Sequence, residues 1–213
     1  MDQLMGIFDK SIYGLLLAVT LWGAFCLALI WTRVASKRFR SEQALREFLQ
    51  PVEAALEQGD FAKAMTLVEG DSRALPQLAE MAIANRSLGY AKVKELVVDR
   101  FQRDVLADLD YRMSWVNTVI KTAPMLGLLG TVVGMMGAFG KLAGAETVKA
   151  TDLASDISFA LITTCWGLTV AIPLIMCMAS INVQIQKMED LVSLGLARFF
   201  DAFKRGLAST PRR

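Results

Sequence analysis

Three stretches without a charged side chain, 11–32, 122–140 and 157–186, constrain this chain more than any other feature. An α-helix needs about 20 predominantly apolar residues to cross the hydrocarbon core of a bilayer, so each stretch is read as a span. The third is longer than one crossing, and its end from about Ser180 is expected to project into water. The chain is 54% hydrophobic and 21% charged. Because the apolar share is concentrated in these runs rather than spread as a globular pattern, the expectation is an all-α, polytopic membrane protein.

The first run is read as a retained span rather than a secretory signal, since Asp2 and Asp9 precede it without a basic leader and the run is long for a signal core. Arg33, Lys37, Arg38 and Arg40 follow the first span, and Lys187, Arg198, Lys204 and Arg205 follow the third. Basic residues near span ends favour the cytoplasmic side. The expected organisation is therefore an outer N-terminus (1–10), a first span (11–32) and a cytoplasmic helical domain leading into the second span (33–121). The second span (122–140), an outer loop (141–156), a third span with a cytoplasmic extension (157–186) and a cytoplasmic tail (187–213) complete it.

Within 33–121, Gly59-Asp60 and Gly70-Asp71 read as helix stops followed by restarts, and Pro76 as the opening of another helix. Val93, Leu96, Val97, Phe101, Val105, Leu109 and Met113 recur at helical spacing, predicting one amphipathic helix from Tyr90 into the second span. Packing against the other helices of the segment accounts for that face.

Several chemistries are excluded. The chain has no histidine, and Cys26, Cys165 and Cys177 lie inside the apolar runs without the spacing of a zinc or redox pair. No nucleophile with a base and no phosphate loop appears, so neither an enzyme nor a metal or other cofactor is expected. A net charge of +2 without a basic stripe gives nucleic acid no footprint. Any proton carrier must be a carboxylate, a water chain or a partner's residue.

On the second span Gly127, Gly130, Gly134, Gly137 and Gly140 stay on one side of a helix and let another backbone come close. Thr131 lies beside that stripe, and its hydroxyl is open to two readings: bonded back to its own helix, or lining a polar passage. The third span carries Ser158, Thr163, Thr164 and Thr169. Asp152, Asp156, Phe159 and Thr163 share one face of it. The two aspartates either mark the helix start, where the helix dipole favours carboxylates, or face a water-filled interior.

The run Ala123-Pro124-Met125-Leu126-Gly127-Leu128-Leu129-Gly130-Thr131-Val132-Val133-Gly134-Met135, followed by Ala160-Leu161-Ile162-Thr163-Thr164 and Gly167-Leu168-Thr169-Val170-Ala171-Ile172-Pro173, closely resembles the ExbB/TolQ/MotA proton-channel family. The three-span layout is similar to its ExbB and TolQ branch. The resemblance implies a homo-oligomeric ring of five copies in the inner-membrane bilayer, surrounding two single-span partners of the ExbD or TolR type whose aspartate carries the proton. It further implies that Thr131 and Thr164 line the passage and that Pro124 and Pro173 are structural. Where that branch carries a glutamate on the third span, this chain has Phe159. On an ideal helix Thr164 sits about 140° from Phe159. Phe159 is therefore expected to seal the outer entrance, with Asp156 drawing protons to it, and Gly127, Gly130, Gly134 and Gly137 are expected to pack the ring. The function expected is the channel-forming subunit of a proton-driven motor; the alternative is a non-conducting scaffold that positions a partner.

Overall fold

The computed structural model describes residues 2–144 and 150–209, with side chains for 11–143 and 150–209 except Asp152. The expected outer N-terminus and outer loop therefore fall partly outside the described residues, as do the side chain of Asp152 and the last four positions of the expected tail. Among the described residues all regular structure is helical. The helices are α1 (Asp2–Lys37), α2 (Glu42–Glu57), α3 (Phe61–Val68), α4 (Ala74–Ala84), α5 (Tyr90–Arg100), α6 (Ala107–Gly144) and α7 (Ala150–Ser209). A 3₁₀ turn at Arg86–Leu88 precedes α5, and a π-helical segment at Phe101–Leu106 joins α5 to α6. Three helical stretches, Ser11–Lys37, Tyr90–Ala143 and Leu153–Ser209, are long and apolar enough to cross a membrane. The chain is a multi-pass membrane protein.

It divides into two compact units, Met1–Leu29 with Arg112–Ser180 and Ile30–Tyr111 with Ile181–Arg213. In the first, long side chains point outward: Leu17 is 64% exposed, Met125 69% and Met176 68%. Small residues are prominent in its interior, with Ala123 and Ala160 fully buried alongside larger side chains such as Val116 and Leu16. Lipid tails are as apolar as leucine, so nothing drives the large side chains inward, and small ones let backbones approach. Gly23 of α1 is one such place. A Cβ there would lie 2.7 Å from Val119 Cγ1 and 3.2 Å from Leu174 Cδ1.

The second unit follows the rules of a water-soluble domain. The Ser41 hydroxyl caps α2 by accepting from Ala44 N at 3.2 Å. Gly59 takes the left-handed turn with φ 74°, and Asp60 then caps α3 by accepting from Lys63 N at 3.0 Å. Gly70 repeats the turn with φ 82°, and Asp71 accepts from Arg73 N at 3.0 Å. Pro76 lies in the first turn of α4, where its missing N–H leaves no bond unmade. The stop-and-restart reading of Gly59-Asp60 and Gly70-Asp71 therefore describes the turns that form.

Residues 187–209 of the expected cytoplasmic tail are among those described. Through Ser209 they belong to α7, and Met188, Val192, Leu196, Phe199 and Phe203 are buried. Phe199 and Phe203 stack at 5.7 Å, and Phe61 of α3 meets Phe203 edge-on at 5.9 Å. These residues are spaced four, four, three and four apart, forming an apolar face that water would penalise, so it completes the core of the segment between the first two spans. Gly195 sits in that face, where a Cβ would meet Leu75 Cδ2 at 2.5 Å. Arg198 and Arg205 donate to Glu53 and Glu57 of α2, each at 2.8 Å.

The amphipathic helix from Tyr90 forms with one departure. Val93, Val97, Phe101 and Leu109 are buried, Val105 and Met113 half-buried, and Leu96 exposed. Steps of four from Val93 to Leu109 would turn an ideal α-helix by about 160° away from its starting face. The π segment absorbs one extra residue and reduces that drift to roughly 60°. A single amphipathic face is thereby kept.

Candidate functional site

Residues of α6 and α7 meet at the Gly127 carbonyl. It accepts from the hydroxyls of Thr131 at 3.2 Å, Thr163 at 3.1 Å and Thr164 at 3.0 Å. The Ala160 carbonyl, one turn away on α7, accepts from Thr131 at 3.3 Å and Thr163 at 2.7 Å. The hydroxyls of Thr131 and Thr164 also bond to each other. Of the two sequence readings of Thr131, the bond back to its own helix forms, and the hydroxyl also bonds across to α7.

Glycine makes this meeting possible. A Cβ on Gly127 would lie 2.8 Å from the Thr163 carbonyl oxygen and 2.9 Å from Thr164 Cα, and one on Gly130 would lie 2.7 Å from Thr163 Cβ. One on Gly134 would meet Ala160 Cβ at 2.8 Å. Within the chain the close neighbour of Gly127, Gly130 and Gly134 is thus α7. Gly137 is also buried, whereas Gly140 is exposed with nothing within 4 Å. Gly167, not singled out by spacing, is also tightly constrained: its Cβ would fall 2.6 Å from the Ala123 carbonyl oxygen and 3.3 Å from Gly127 Cα.

Each hydroxyl has one proton and can also accept, so three threonines between two carbonyls have more bonding partners than protons. Thr131 can direct its proton to Gly127, Ala160 or Thr164. The cluster can exchange these arrangements by hydroxyl rotation without placing a charge on the ring. Thr163 is fully buried, while Thr131 and Thr164 are partly exposed and so reachable from outside the chain. Thr169, by contrast, bonds only its own helix, donating to Cys165 O at 2.8 Å.

Two further features stand at the expected entrance. Asp156 accepts from Lys141 Nζ at 2.7 Å, so its carboxylate is half of an ion pair. Phe159 is half-buried, and Tyr13 of α1 meets its ring edge-on at 5.3 Å. Neither partner was signalled by spacing, because both come from other helices. Pro124 lies within α6 and Pro173 within α7. Each lacks the N–H that would bond the carbonyl four residues earlier.

Residues 78–193 match the model of the MotA/TolQ/ExbB proton channel family. Over 192 residues the chain is 30% identical to an ExbB-like biopolymer transport protein of Synechocystis sp., covering 85% of this chain and 70% of that protein. It is 36% identical over 85 residues to the Tol-Pal system protein TolQ of Haemophilus influenzae, covering 40% of this chain and 37% of that one. Over 99 residues it is 34% identical to the biopolymer transport protein ExbB of Pseudomonas putida, covering 45% of this chain and 30% of the relative.

Proposed function

Because the chain belongs to the MotA/TolQ/ExbB proton channel family, we propose that it is the channel-forming subunit of an inner-membrane motor driven by the proton-motive force, energising transport or an envelope process through a single-span partner. The observation that carries this reading is the bond between the hydroxyls of Thr131 and Thr164 over the Gly127 carbonyl. It holds two half-buried hydroxyls from different spans side by side at membrane depth.

In the proposed assembly five copies surround two partners of the ExbD or TolR type, with the N-terminus outside and the C-terminus in the cytoplasm. The partner's carboxylate is the titrating group. With a phenylalanine at 159 and no histidine in the chain, the ring supplies hydroxyls and no charge of its own at that depth. Thr131 and Thr164 solvate the carboxylate and its proton as it passes, and Thr163 holds the backbone beneath them. Phe159 against Tyr13 closes the outer side to bulk water, and the Lys141–Asp156 pair sets the charge at the entrance.

Partner-dependent proton uptake into proteoliposomes tests this. The double variant Thr131→Val with Thr164→Val is expected to lose uptake while the complex stays assembled, and Asp156→Asn to slow uptake without stopping it. Full flux in the double valine variant sinks the hydroxyl path. Phe159, in place of the branch's glutamate, favours one second reading, a non-conducting scaffold, and an assembled wild-type complex without any partner-dependent flux would establish it.

A further inference from the structure

A groove of about 650 Å³ in the second unit takes its lining from α1, α4, the π segment and the start of α6. Arg33 and Lys37, one turn apart on α1, stand on one of its walls, with Gln77, Arg103 and Tyr111 around them. Val105, Ala107 and Leu109 add an apolar wall. The charges do not cancel locally. Lys37 donates to the neutral Gln77 Oε1 at 2.7 Å, and neither Lys37 nor Arg33 has a carboxylate partner among the described residues. Two carboxylates also line the groove, Asp104, which pairs with Arg100, and Asp108, which is not free. Arg103 is paired with Asp99 at 2.8 Å, which leaves part of its fork of donors for a ligand.

Position supplies the rest. Arg33 is the residue immediately after the charge-free run 11–32, so these two cations stand where hydrocarbon gives way to headgroups. Two adjacent like charges at that depth repel each other unless an anion lies between them. A groove lined by cations, an amide and apolar side chains fits a phosphate carried on acyl chains.

We infer that this groove binds the phosphate of an anionic phospholipid from the leaflet at that end of the first span. The guanidinium of Arg33 and the ammonium of Lys37 take the phosphate oxygens, and Tyr111, 63% exposed beside them, lies against the glycerol and upper acyl chain. A soluble phosphate would use the same cations but not the apolar wall. Bound lipid would tie α1 to α4 and α6 at the membrane surface, independently of whether the ring conducts.

Native mass spectrometry of the full-length, delipidated protein, titrated with phosphatidylglycerol, phosphatidylcholine or inorganic phosphate, tests the inference. Phosphatidylglycerol is expected to be retained over phosphatidylcholine. The double variant Arg33→Gln with Lys37→Gln is expected to lose roughly thirty-fold in phosphatidylglycerol affinity, as two interfacial cations imply. Lys63→Gln with Lys92→Gln, which removes the same charge elsewhere in the unit, should leave affinity unchanged. If the double variant does not fold by circular dichroism, Lys37→Gln alone, expected to lose about fivefold, takes its place. Displacement of the lipid by inorganic phosphate would keep the site and assign it to soluble phosphate. Equal affinity in the glutamine variants, or no preference for the anionic lipid in the wild type, would overturn the inference.

Discussion

In the unit of Met1–Leu29 and Arg112–Ser180 small residues such as Ala123, Ala160 and Thr163 share the buried places with a few larger ones such as Leu16 and Val116, while Leu17, Trp22 and Met125 face outward. In the unit of Ile30–Tyr111 and Ile181–Arg213 the buried places go to Leu49, Leu56, Phe199 and Phe203, while charged pairs such as Glu42–Arg46 face outward. One chain therefore packs by two sets of rules. In water the hydrophobic effect rewards burial roughly in proportion to apolar area, so the largest side chains go inside. In lipid that reward is absent, and what remains is close contact between backbones and the satisfaction of polar groups, which favours glycine, alanine and threonine.

The comparison breaks most visibly if a large side chain is removed from the second unit. Phe203→Ala is expected to cost about 3–5 kcal/mol, read from thermal or denaturant unfolding of the detergent-solubilised protein. A loss below about 1 kcal/mol would mean that the phenylalanine cluster of α7 does not hold this unit together.

Addition should matter in the first unit where removal matters in the second. Gly167→Ala places a methyl group 2.6 Å from the Ala123 carbonyl oxygen, where only backbone can move aside. The expected cost is about 1–3 kcal/mol, measured as the shift in unfolding temperature. Gly14→Ala, with nothing within 4 Å of the new atom, serves as the control and should not destabilise the protein. Equal behaviour of the two variants would show that the small-residue seam is loose.

The smallest expected effect sharpens the electrostatic side. The Arg73 guanidinium beside Asp71 holds that carboxyl below its ordinary value of 3.8. Since the folded value is the depressed one, the pair's contribution is fully present above the ordinary value and is lost as pH falls through the folded one. Asp71→Asn should therefore lower stability at neutral pH by less than about 1 kcal/mol, and the gap to wild type should close in acid. A gap that persists at pH well below the ordinary value would place the effect in packing, where Arg73 lies 4.0 Å over the Phe39 ring.

Much of this was legible residue by residue. The Gly59-Asp60 and Gly70-Asp71 turns were readable because a left-handed glycine followed by a capping aspartate is a local event. Thr131, Thr163 and Thr164 stood out as polar groups in apolar runs. The π segment had a signal in the repeated spacing of four from Val93, although spacing alone does not say where the extra residue goes. The apolar face at Met188 to Phe203 is equally periodic in the sequence. Tyr13 beside Phe159 and Lys141 beside Asp156 had no signal, being side chains brought together from different helices.

What the sequence by itself determined is the character of each segment: uncharged runs of bilayer length are long and apolar enough to span, and capped amphipathic segments have the pattern of a water-soluble domain. Those are properties of composition and period along one helix. Only the tertiary structure decided which helix fills which groove. It turned the glycine stripe toward α7 of the same chain, converged three hydroxyls on the Gly127 carbonyl and gave the end of α7 to the core of the second unit. The physical reason is that a helix's apolar or small-residue face specifies that it must be covered, while the identity of the covering element depends on the shapes that meet there.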